Sequence, residues 1–384
     1  MKITSIEVIR LSLPFDSDRP LATAQETPWN AASPSLKKME TLLVRIETSS
    51  GLQGWGEAFG HLANPVTQQA LQQLVIPCFL DKPVPQSRVA LEALMADAEK
   101  ALHGFGRGGP VRFGLSAIDI ALWDLLGQQL EQPLWQLLGA KRQQISLYAS
   151  LVSYNNQPEE VARQVTRAWQ AGFRTLKLHE TEYAAIAAAR AALPPEATLM
   201  VDVNCPWTVA EASLRARQLA ELKLGWLEEP VWPPDDAHGL ATVRSAGTPI
   251  AAGENAGGEW GFTALFDSGA IDVAQPSVAK VGGISALLRV VAQAATHQVK
   301  VVPHCFYYGA GLPATAHIVA ALPDDIQLEV PFIRFTSLLY PQLAFAPTLT
   351  LPDTPGLGFA PDAQVMQQHT IDHIQVNMEG TRYV

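Results

Sequence analysis

Cysteines, runs of basic residues and long apolar segments are scarce in this chain, and each scarcity excludes a class of protein. Three cysteines are too few for a disulfide framework and fit a reducing compartment. A net charge of −10 without any run of Lys or Arg argues against a nucleic-acid-binding protein. No apolar stretch reaches the roughly 18–20 residues that cross a membrane. The first residues alternate like a strand and lack the apolar core of a signal peptide, so we expect a cytoplasmic protein.

The apolar residues that are present, 48% of 384, suffice for one large domain and a smaller one. Residues 3–12 and 40–48 alternate as strands, and a third strand ends at Glu57-Ala58. Helical spacing follows at 66–79, 89–102 and 111–130. We therefore predict an α+β domain over residues 1–125.

From residue 145 onward, short apolar runs alternate with helical segments, each run about 25 residues from the next. Eight runs are found: 145–150, 175–179, 198–204, 226–229, 250–254, 272–277, 300–304 and 326–330. Eight strand–helix units predict a (β/α)8-type barrel over residues 126–352, and hence an α/β protein whose N-terminal domain caps the barrel mouth. Residues 353–384 have turn chemistry and weak alternation, and we expect them to return to the capping domain.

Three acidic residues, Asp202, Glu228 and Glu254, close consecutive apolar runs and are each 26 residues apart. Barrel strands point their carboxyl ends at one mouth, so the three carboxylates should converge. Like charges packed together repel unless a cation lies between them. Because all three ligands are hard oxygens, the pattern predicts Mg²⁺, with Mn²⁺ as the alternative. Taken singly, each acid could equally cap the helix that follows it.

Polar side chains also end the other predicted strands. Lys177 and His179 occupy alternate positions and so face the same interior, where both could serve one anion such as a substrate carboxylate. His304 ends the seventh strand, so the two histidines approach a central substrate from different sides, which suits racemisation or elimination of water. Glu329 could accept a hydrogen bond or, if protonated, donate one. Further polar residues at these ends are Asn204, Ser277 and Lys280.

Taken together, these motifs resemble the enolase superfamily, in its mandelate racemase and muconate-lactonising branch, over nearly the whole chain. The resemblance is carried by Gly54-Trp55-Gly56-Glu57, Ala117-Ile118-Asp119-Ile120-Ala121-Leu122-Trp123-Asp124, Leu138-Gly139, Asp202-Val203-Asn204, Glu228-Glu229-Pro230, Ala252-Gly253-Glu254, Gln275-Pro276, Gly282-Gly283, Val302-Pro303-His304 and Pro355-Gly356-Leu357-Gly358. It implies that Asp202, Glu228 and Glu254 hold Mg²⁺. It also implies that a base removes the proton α to a substrate carboxylate and that the metal stabilises the resulting enediolate. Lys177 and Glu329 would add to that stabilisation.

Departures from the family pattern bear on specificity. Many relatives carry Lys-x-Lys on the second strand, where this chain has Lys177-Leu178-His179, so His179 would take the role of base. At the end of the sixth strand, racemase-like relatives have an Asp that pairs with the seventh-strand histidine, and muconate-lactonising relatives have a Lys. This chain has Ser277 there, which can orient an imidazole but cannot stabilise its cation by charge. His304 would then be the opposite-face group either as a base without its usual partner or as the acid that protonates a leaving hydroxyl or the enediolate.

We therefore predict a Mg²⁺-dependent lyase that dehydrates a sugar acid or another hydroxy acid, with His179, His304, Lys177 and Glu329 as catalytic groups. The alternative is a racemase, epimerase or cycloisomerase that uses the same first step, and a minor alternative is a non-catalytic metal-binding barrel. The substrate is expected to be a small carboxylate, and copies of the chain are expected to assemble into a homo-oligomer. Residues that could contact the substrate are Asn204, Ser277, Lys280, Trp29, Trp55 and His61.

Overall fold

The computed structural model describes residues 1–19, 36–343 and 345–384, and within them it contains two sheets surrounded by helices. In chain order the strands are β1 (Ile3–Asp16), β2 (Lys38–Thr48), β3 (Gln53–Ala58), β4 (Gln144–Ser150), β5 (Thr175–Leu178), β6 (Thr198–Asp202), β7 (Leu227–Glu228), β8 (Ile250–Ala252), β9 (Val273–Ala274), β10 (Lys300–Val301), β11 (Leu328–Pro331), β12 (Arg334–Phe335), β13 (Thr348–Thr350), β14 (Thr370–Asn377) and β15 (Gly380–Tyr383). None of the helices found in these residues has the length and apolar content required to cross a bilayer.

Helices fill most of the remaining chain. The α-helices are α1 (Asn64–Ala70), α2 (Arg88–Ala101), α3 (Gly109–Gln129), α4 (Leu134–Leu137), α5 (Pro158–Gln170), α6 (Tyr183–Ala192), α7 (Val209–Leu219), α8 (Ala237–Arg244), α9 (Gly258–Asp267), α10 (Val278–Val281), α11 (Gly283–His297), α12 (Gly311–Ala321) and α13 (Ala363–His369). The helix predicted over 66–79 is not continuous, because a π turn (Leu71–Val75) and a 3₁₀ turn (Ile76–Cys78) follow α1. Pro77 lies in the last turn and has no backbone N–H to continue an α-helix.

The first sheet is antiparallel, in the order β15-β14-β1-β2-β3, and with α1–α3 it forms what we call the cap. Its central pair aligns apolar residues of β1 and β2, such as Ile6 with Ile46 and Val8 with Val44. The C-terminal strand β14 pairs with the other edge of β1, where Val8 faces Ile374. Residues from both ends of the chain therefore build one sheet.

The second sheet contains eight parallel strands, β4 to β11, which curve into a (β/α)8-type barrel and confirm the fold class predicted from the sequence. Each strand pairs with the next along the chain from β4 to β10, and β11 pairs with β4. Among the described residues no backbone ladder joins β10 to β11. Instead, the backbone N–H of Cys305 donates to the Glu329 carboxylate at 2.8 Å.

Helix α3 connects the cap to the barrel because it is buried along nearly its whole length. Gly54 and Gly56 of β3 lie against it so closely that a Cβ on either would approach the carbonyl oxygens of Ala121 and Ala117 to 2.3 and 1.9 Å. Only glycine permits this approach. On the opposite side of α3, the Trp123 indole N–H donates to Ser285 of α11 at 2.9 Å. The cap is thereby held over the barrel end at which the predicted site residues lie.

Candidate active site

Three carboxylates converge at the carboxyl ends of neighbouring barrel strands. Asp202 and Glu228 are the last residues of β6 and β7, and Glu254 lies two residues beyond β8. One oxygen from each lies within 4.8 Å of the others. Asp202 and Glu228 are buried, and the Glu254 side chain is 12% exposed. Three hard oxygen donors meeting at one open-sided point fit a divalent ion such as Mg²⁺.

Lys177 lies at the centre of this acidic cluster and is completely buried. Its ammonium nitrogen is 2.9 Å from Glu228 Oε1, 2.8 Å from Glu329 Oε1 and 3.7 Å from Asp202 Oδ2. Burial acts to lower the pKa of Lys177, but Glu228 and Glu329 outweigh it and raise that pKa well above its ordinary value. Lys177 is therefore a fixed positive charge beside the three converging carboxylates, suited to hold a further anion there.

His179 follows β5 immediately, and both of its ring nitrogens have partners. Nδ1 bonds to the Leu151 carbonyl oxygen, which can only accept, so Nδ1 carries a proton. Nε2 then faces Asp202 Oδ2 at 3.2 Å. Burial works against a charged ring, but the Asp202 carboxylate outweighs it and raises the pKa of His179. The arrangement leaves Nε2 as the nitrogen that can give up or take a proton.

His304 occupies the other side of the cluster, three residues beyond the end of β10. Its Nε2 is 2.7 Å from Glu254 Oε2, whereas its Nδ1 is buried and has no hydrogen-bond partner in the described part of the chain. Ser277 pairs with His304 in an isolated parallel bridge, and its buried hydroxyl interacts with the Tyr307 hydroxyl. Among the residues described, no charged side chain pairs with His304 at Nδ1.

Glu329 lies inside β11 rather than at its end, where the sequence pattern placed it. Burial acts to raise its pKa, but Lys177 and His304 outweigh burial and lower the pKa of Glu329 to about 2. One of its oxygens faces Lys177 and the other accepts the Cys305 N–H. Glu329 is accordingly an ionised acceptor in this arrangement, which does not support the alternative of a protonated donor.

Lys280 of α10 provides a second buried cation near the cluster. Its ammonium is 3.1 Å from Glu254 Oε1 and 3.3 Å from Asn255 Oδ1. On its other side it lies 4.0 Å from the centre of the Phe59 ring, a cation–π contact with the cap. Lys280 thus joins the fifth barrel strand to the segment that follows β3.

The remaining candidate substrate residues are distributed unevenly. Asn204 follows β6 and its backbone N–H donates to Asp202 Oδ1 at 2.9 Å. His61 packs edge-to-face on Phe59 and interacts electrostatically with Lys280, His304 and Glu254, so it reaches the site from the cap. Trp55 does not, because its ring lies against the Arg45 guanidinium within the cap sheet. Trp29 lies outside the described residues.

One further buried acid, Glu229, was not among the predicted site residues. Alternation along β7 would direct it away from Glu228, but its backbone φ of 45° breaks the strand geometry. Its Oε2 accepts hydrogen bonds from Asn255 at 2.8 Å and from Cys205 at 3.4 Å. Burial and the neighbouring Glu254 raise the pKa of Glu229 well above its ordinary value. The Glu228-Glu229-Pro230 motif was the available signal, and periodicity alone could not interpret it.

Family models match most of the chain. Residues 19–139 match the N-terminal domain of the mandelate racemase / muconate lactonizing enzyme family, and residues 160–365 match the enolase C-terminal domain-like model. The D-galactarolactone cycloisomerase of Agrobacterium fabrum is 30% identical over 93% of this chain and 96% of its own. The L-talarate/galactarate dehydratase of Salmonella typhimurium is 29% identical over 92% of this chain and 88% of its own.

Solved structures of similar proteins have the same fold. A racemase from Streptomyces coelicolor A3(2) with bound magnesium superposes with a TM-score of 0.82 at 26% identity, covering 96% of this chain and 100% of that one. A 3,6-anhydro-D-galactonate cycloisomerase from Zobellia galactanivorans has a TM-score of 0.81 at 27% identity, covering 96% and 99% of the two chains.

Proposed function

The chain belongs to the mandelate racemase / muconate lactonizing enzyme family of the enolase superfamily, and we propose that it is a Mg²⁺-dependent dehydratase of sugar acids. One observation carries the proposal. His179 and His304 face Asp202 and Glu254, two members of the converging carboxylate trio, from the segments that follow two separate strands. Two proton-transfer groups thus flank a point where a metal-bound carboxylate would lie.

Asp202, Glu228 and Glu254 would hold the ion, which supplies positive charge next to the substrate carboxylate. Lys177 adds a second fixed charge, because it is fully buried and paired with Glu228 and Glu329. Glu329 keeps that lysine in place and stays ionised. Preorganised charges of this kind are worth roughly 2.7–4 kcal/mol each where negative charge develops.

His179 removes the proton at the carbon next to the carboxylate. Its Nδ1–H is held by the Leu151 carbonyl, so Nε2 is the atom that accepts the proton. The electron pair of the broken C–H bond forms a double bond to the neighbouring carbon, whose C–O bond breaks. His304 gives its Nε2 proton to the departing hydroxyl, which leaves as water, and the enol product becomes a 2-keto acid. One proton is gained by His179 and one is lost by His304.

Cycloisomerisation or racemisation is the second candidate, because relatives with those activities are among the similar proteins. Both begin with the same proton removal. Racemisation also requires a base on the opposite face, and the missing charge beside His304 Nδ1 favours an acid there. Dehydration is therefore ranked first.

The test is incubation of the Mg²⁺-loaded protein with a library of aldonates, aldarates and their lactones in D₂O. A 2-keto product supports dehydration, whereas deuterium at the α-carbon with inverted configuration supports racemisation or epimerisation, and a rearranged lactone supports cycloisomerisation. On the substrate so found, we expect His179→Asn to reduce turnover by about 10²–10⁴-fold. His297→Asn, at a surface histidine paired with Asp267, is the matched control. Full turnover in His179→Asn would refute the proposed proton chemistry.

Assembly into a homo-oligomer and a cytoplasmic location both stay predictions. Light scattering on the purified protein, at 41.5 kDa per chain, measures the first directly.

A further inference from the structure

A buried carboxyl outside the site, Glu57, connects the cap to the loop that carries His304. Glu57 lies near the end of β3 and is 2% exposed. Its Oε2 accepts the Gly311 N–H at 2.9 Å. A Cβ on Gly309 would lie 2.4 Å from the Glu57 carboxyl carbon, so the loop packs directly on this group. In the described ranges no Lys, Arg or His forms an ion pair with Glu57. Its carboxyl group therefore contacts the backbone of this loop rather than a cation.

The loop from 305 to 311 leads back to His304 through one aromatic side chain. The Tyr307 hydroxyl donates to the His304 carbonyl oxygen at 3.4 Å and lies 3.3 Å from Thr315 Oγ1. The Tyr307 ring packs edge-to-face on the His304 ring, with centroids 6.3 Å apart. Gly311 is the link to the cap, because a Cβ there would lie 2.7 Å from the Tyr307 ring and 2.9 Å from Glu57 Oε2.

His304 has few other restraints on this side. Strand β10 ends at Val301, and the isolated bridge to Ser277 is the one ladder contact described for His304. Its Nδ1 has no hydrogen-bond partner within residues 1–19, 36–343 and 345–384, and Ser277 offers no charge to hold the ring. The packing of Tyr307 therefore supplies orientation that a side-chain partner would otherwise provide.

We propose that Glu57 is a positioning residue for His304 and that it acts from the cap through Gly311 and Tyr307. It would thereby orient the His304 ring, as a charged residue at position 277 would do and as Ser277 does not. The inference rests on the proposed function in that His304 is taken as the acid of the second half-reaction. Glu57 itself does not touch the substrate. Its loss should therefore impair the step on the His304 face and leave proton removal by His179 intact.

The kinetic test compares two rates in D₂O on one substrate, formation of the 2-keto product and exchange of the α-proton. In Glu57→Ala we expect product formation to fall about ten- to a hundredfold, since a misplaced catalytic group costs about that much, while exchange stays near wild type. Tyr307→Phe should shift the ratio in the same direction, and it decides the matter if Glu57→Ala does not fold. Glu57→Gln keeps an acceptor for Gly311 and should restore the ratio.

Asp119→Asn is the matched control, because Asp119 is also a buried acid between cap and barrel, but its carboxyl group contacts Gly283 and the Ser285 N–H, at 3.0 Å, rather than the 305–311 loop. It should leave the ratio unchanged. A wild-type ratio in both Glu57→Ala and Tyr307→Phe would overturn the proposal, because a purely structural role would lower both rates together.

A second readout separates this inference from the proposed function. The imidazole ¹⁵N signals of His304, identified by their loss in His304→Asn, should shift in Glu57→Ala and Tyr307→Phe but not in Asp119→Asn. If the wild-type protein neither exchanges nor dehydrates any library member, the proposed function fails while these signals still decide whether Glu57 positions His304. Unshifted signals in both variants would refute the link.

Discussion

Two groups of buried acids in this molecule differ in what compensates their charge. At the barrel's strand ends, Glu228 and Glu329 pair with Lys177, and Glu254 pairs with Lys280 and His304, whereas Glu229 beside them accepts hydrogen bonds from Asn255 and Cys205. Where the cap meets the barrel, three equally buried acids accept hydrogen bonds from backbone N–H groups instead, and within the described residues they form no ion pairs. These are Glu57, Asp119 and Asp124.

Their ionisation differs accordingly. Burial raises the pKa of Glu57 to about 8 and that of Asp119 to about 7, because a few N–H groups do not replace the lost water. For Glu254, burial acts in the same direction, but His304 and Lys280 outweigh it and lower the pKa well below its ordinary value. Glu228 is intermediate: burial raises its pKa to about 7 although Lys177 opposes this. The site thus contains carboxylates that a divalent ion can bind, whereas the acids between cap and barrel tend to be protonated and neutral.

The largest expected effect comes from changing one of the three converging carboxylates, which are the proposed metal ligands. Glu254→Gln should abolish Mg²⁺ binding and turnover, while Asp119→Asn, a buried acid of the interface, should keep both. Calorimetric titration with MgCl₂ measures the binding. Thermal unfolding supplies a second measurement, because ligand at 100 times its Kd stabilises the wild-type protein by about 2.7 kcal/mol. Identical unfolding of the wild-type protein with and without Mg²⁺ would contradict the assignment.

The two regions also differ in how far the sequence reveals them. The equal spacing of Asp202, Glu228 and Glu254 predicted their convergence, because parallel strands in a barrel share one mouth. The interface acids were visible only as parts of motifs. A single Glu at the end of β3 does not indicate which distant loop it contacts, since Glu57 and Gly311 are 254 residues apart.

Local backbone geometry limited the rest of the prediction. Most barrel strands are shorter than the predicted apolar runs, so β8 and β10 end before Glu254 and His304, which lie in loops whose direction periodicity does not determine. Glu229 turns back toward Asn255 through a positive φ that the alternation of a strand cannot anticipate. For Trp55, the motif gave no hint that its ring packs on Arg45 within the cap sheet.

A second, intermediate effect is the pH dependence of folding stability that Glu57, an acid between cap and barrel, should cause. Folded Glu57 has a pKa of about 8 against an ordinary value of 4.5, so between those values the folded protein binds a proton that the unfolded chain has released. Stability from this group is fully present below pH 4.5 and is lost as the pH rises toward 8. Glu57→Gln removes that loss, and we expect its stability relative to wild type to increase by about 2–4 kcal/mol between pH 5 and pH 8.5.

Urea unfolding at the two pH values measures this difference. Glu196→Gln, at an exposed acid, should show no such pH-dependent change. If Glu57→Gln and wild type lost stability in parallel as the pH rises, Glu57 would be ionised when folded, and the two regions would not differ in the way described.

The smallest expected effect adds an acid to the site instead of removing one. In Ser277→Asp the new carboxylate would lie on the residue that bridges to His304, whose Nδ1 has no partner among the described residues, so unlike an acid added at the interface it would find a potential cation nearby. A carboxylate beside an imidazole favours its charged form, which would make His304 a stronger base and a weaker acid. We expect dehydration to slow less than about tenfold, and deuterium to appear at the α-carbon with inverted configuration.

Proton NMR of the recovered substrate measures that inversion, with Ser277→Asn as the uncharged control. Inversion by both variants would show that space rather than charge limits His304 as a base. Inversion by Ser277→Asp alone would mean that one missing carboxylate separates a lyase, with a base on one face of the substrate, from an isomerase, with a base on each face.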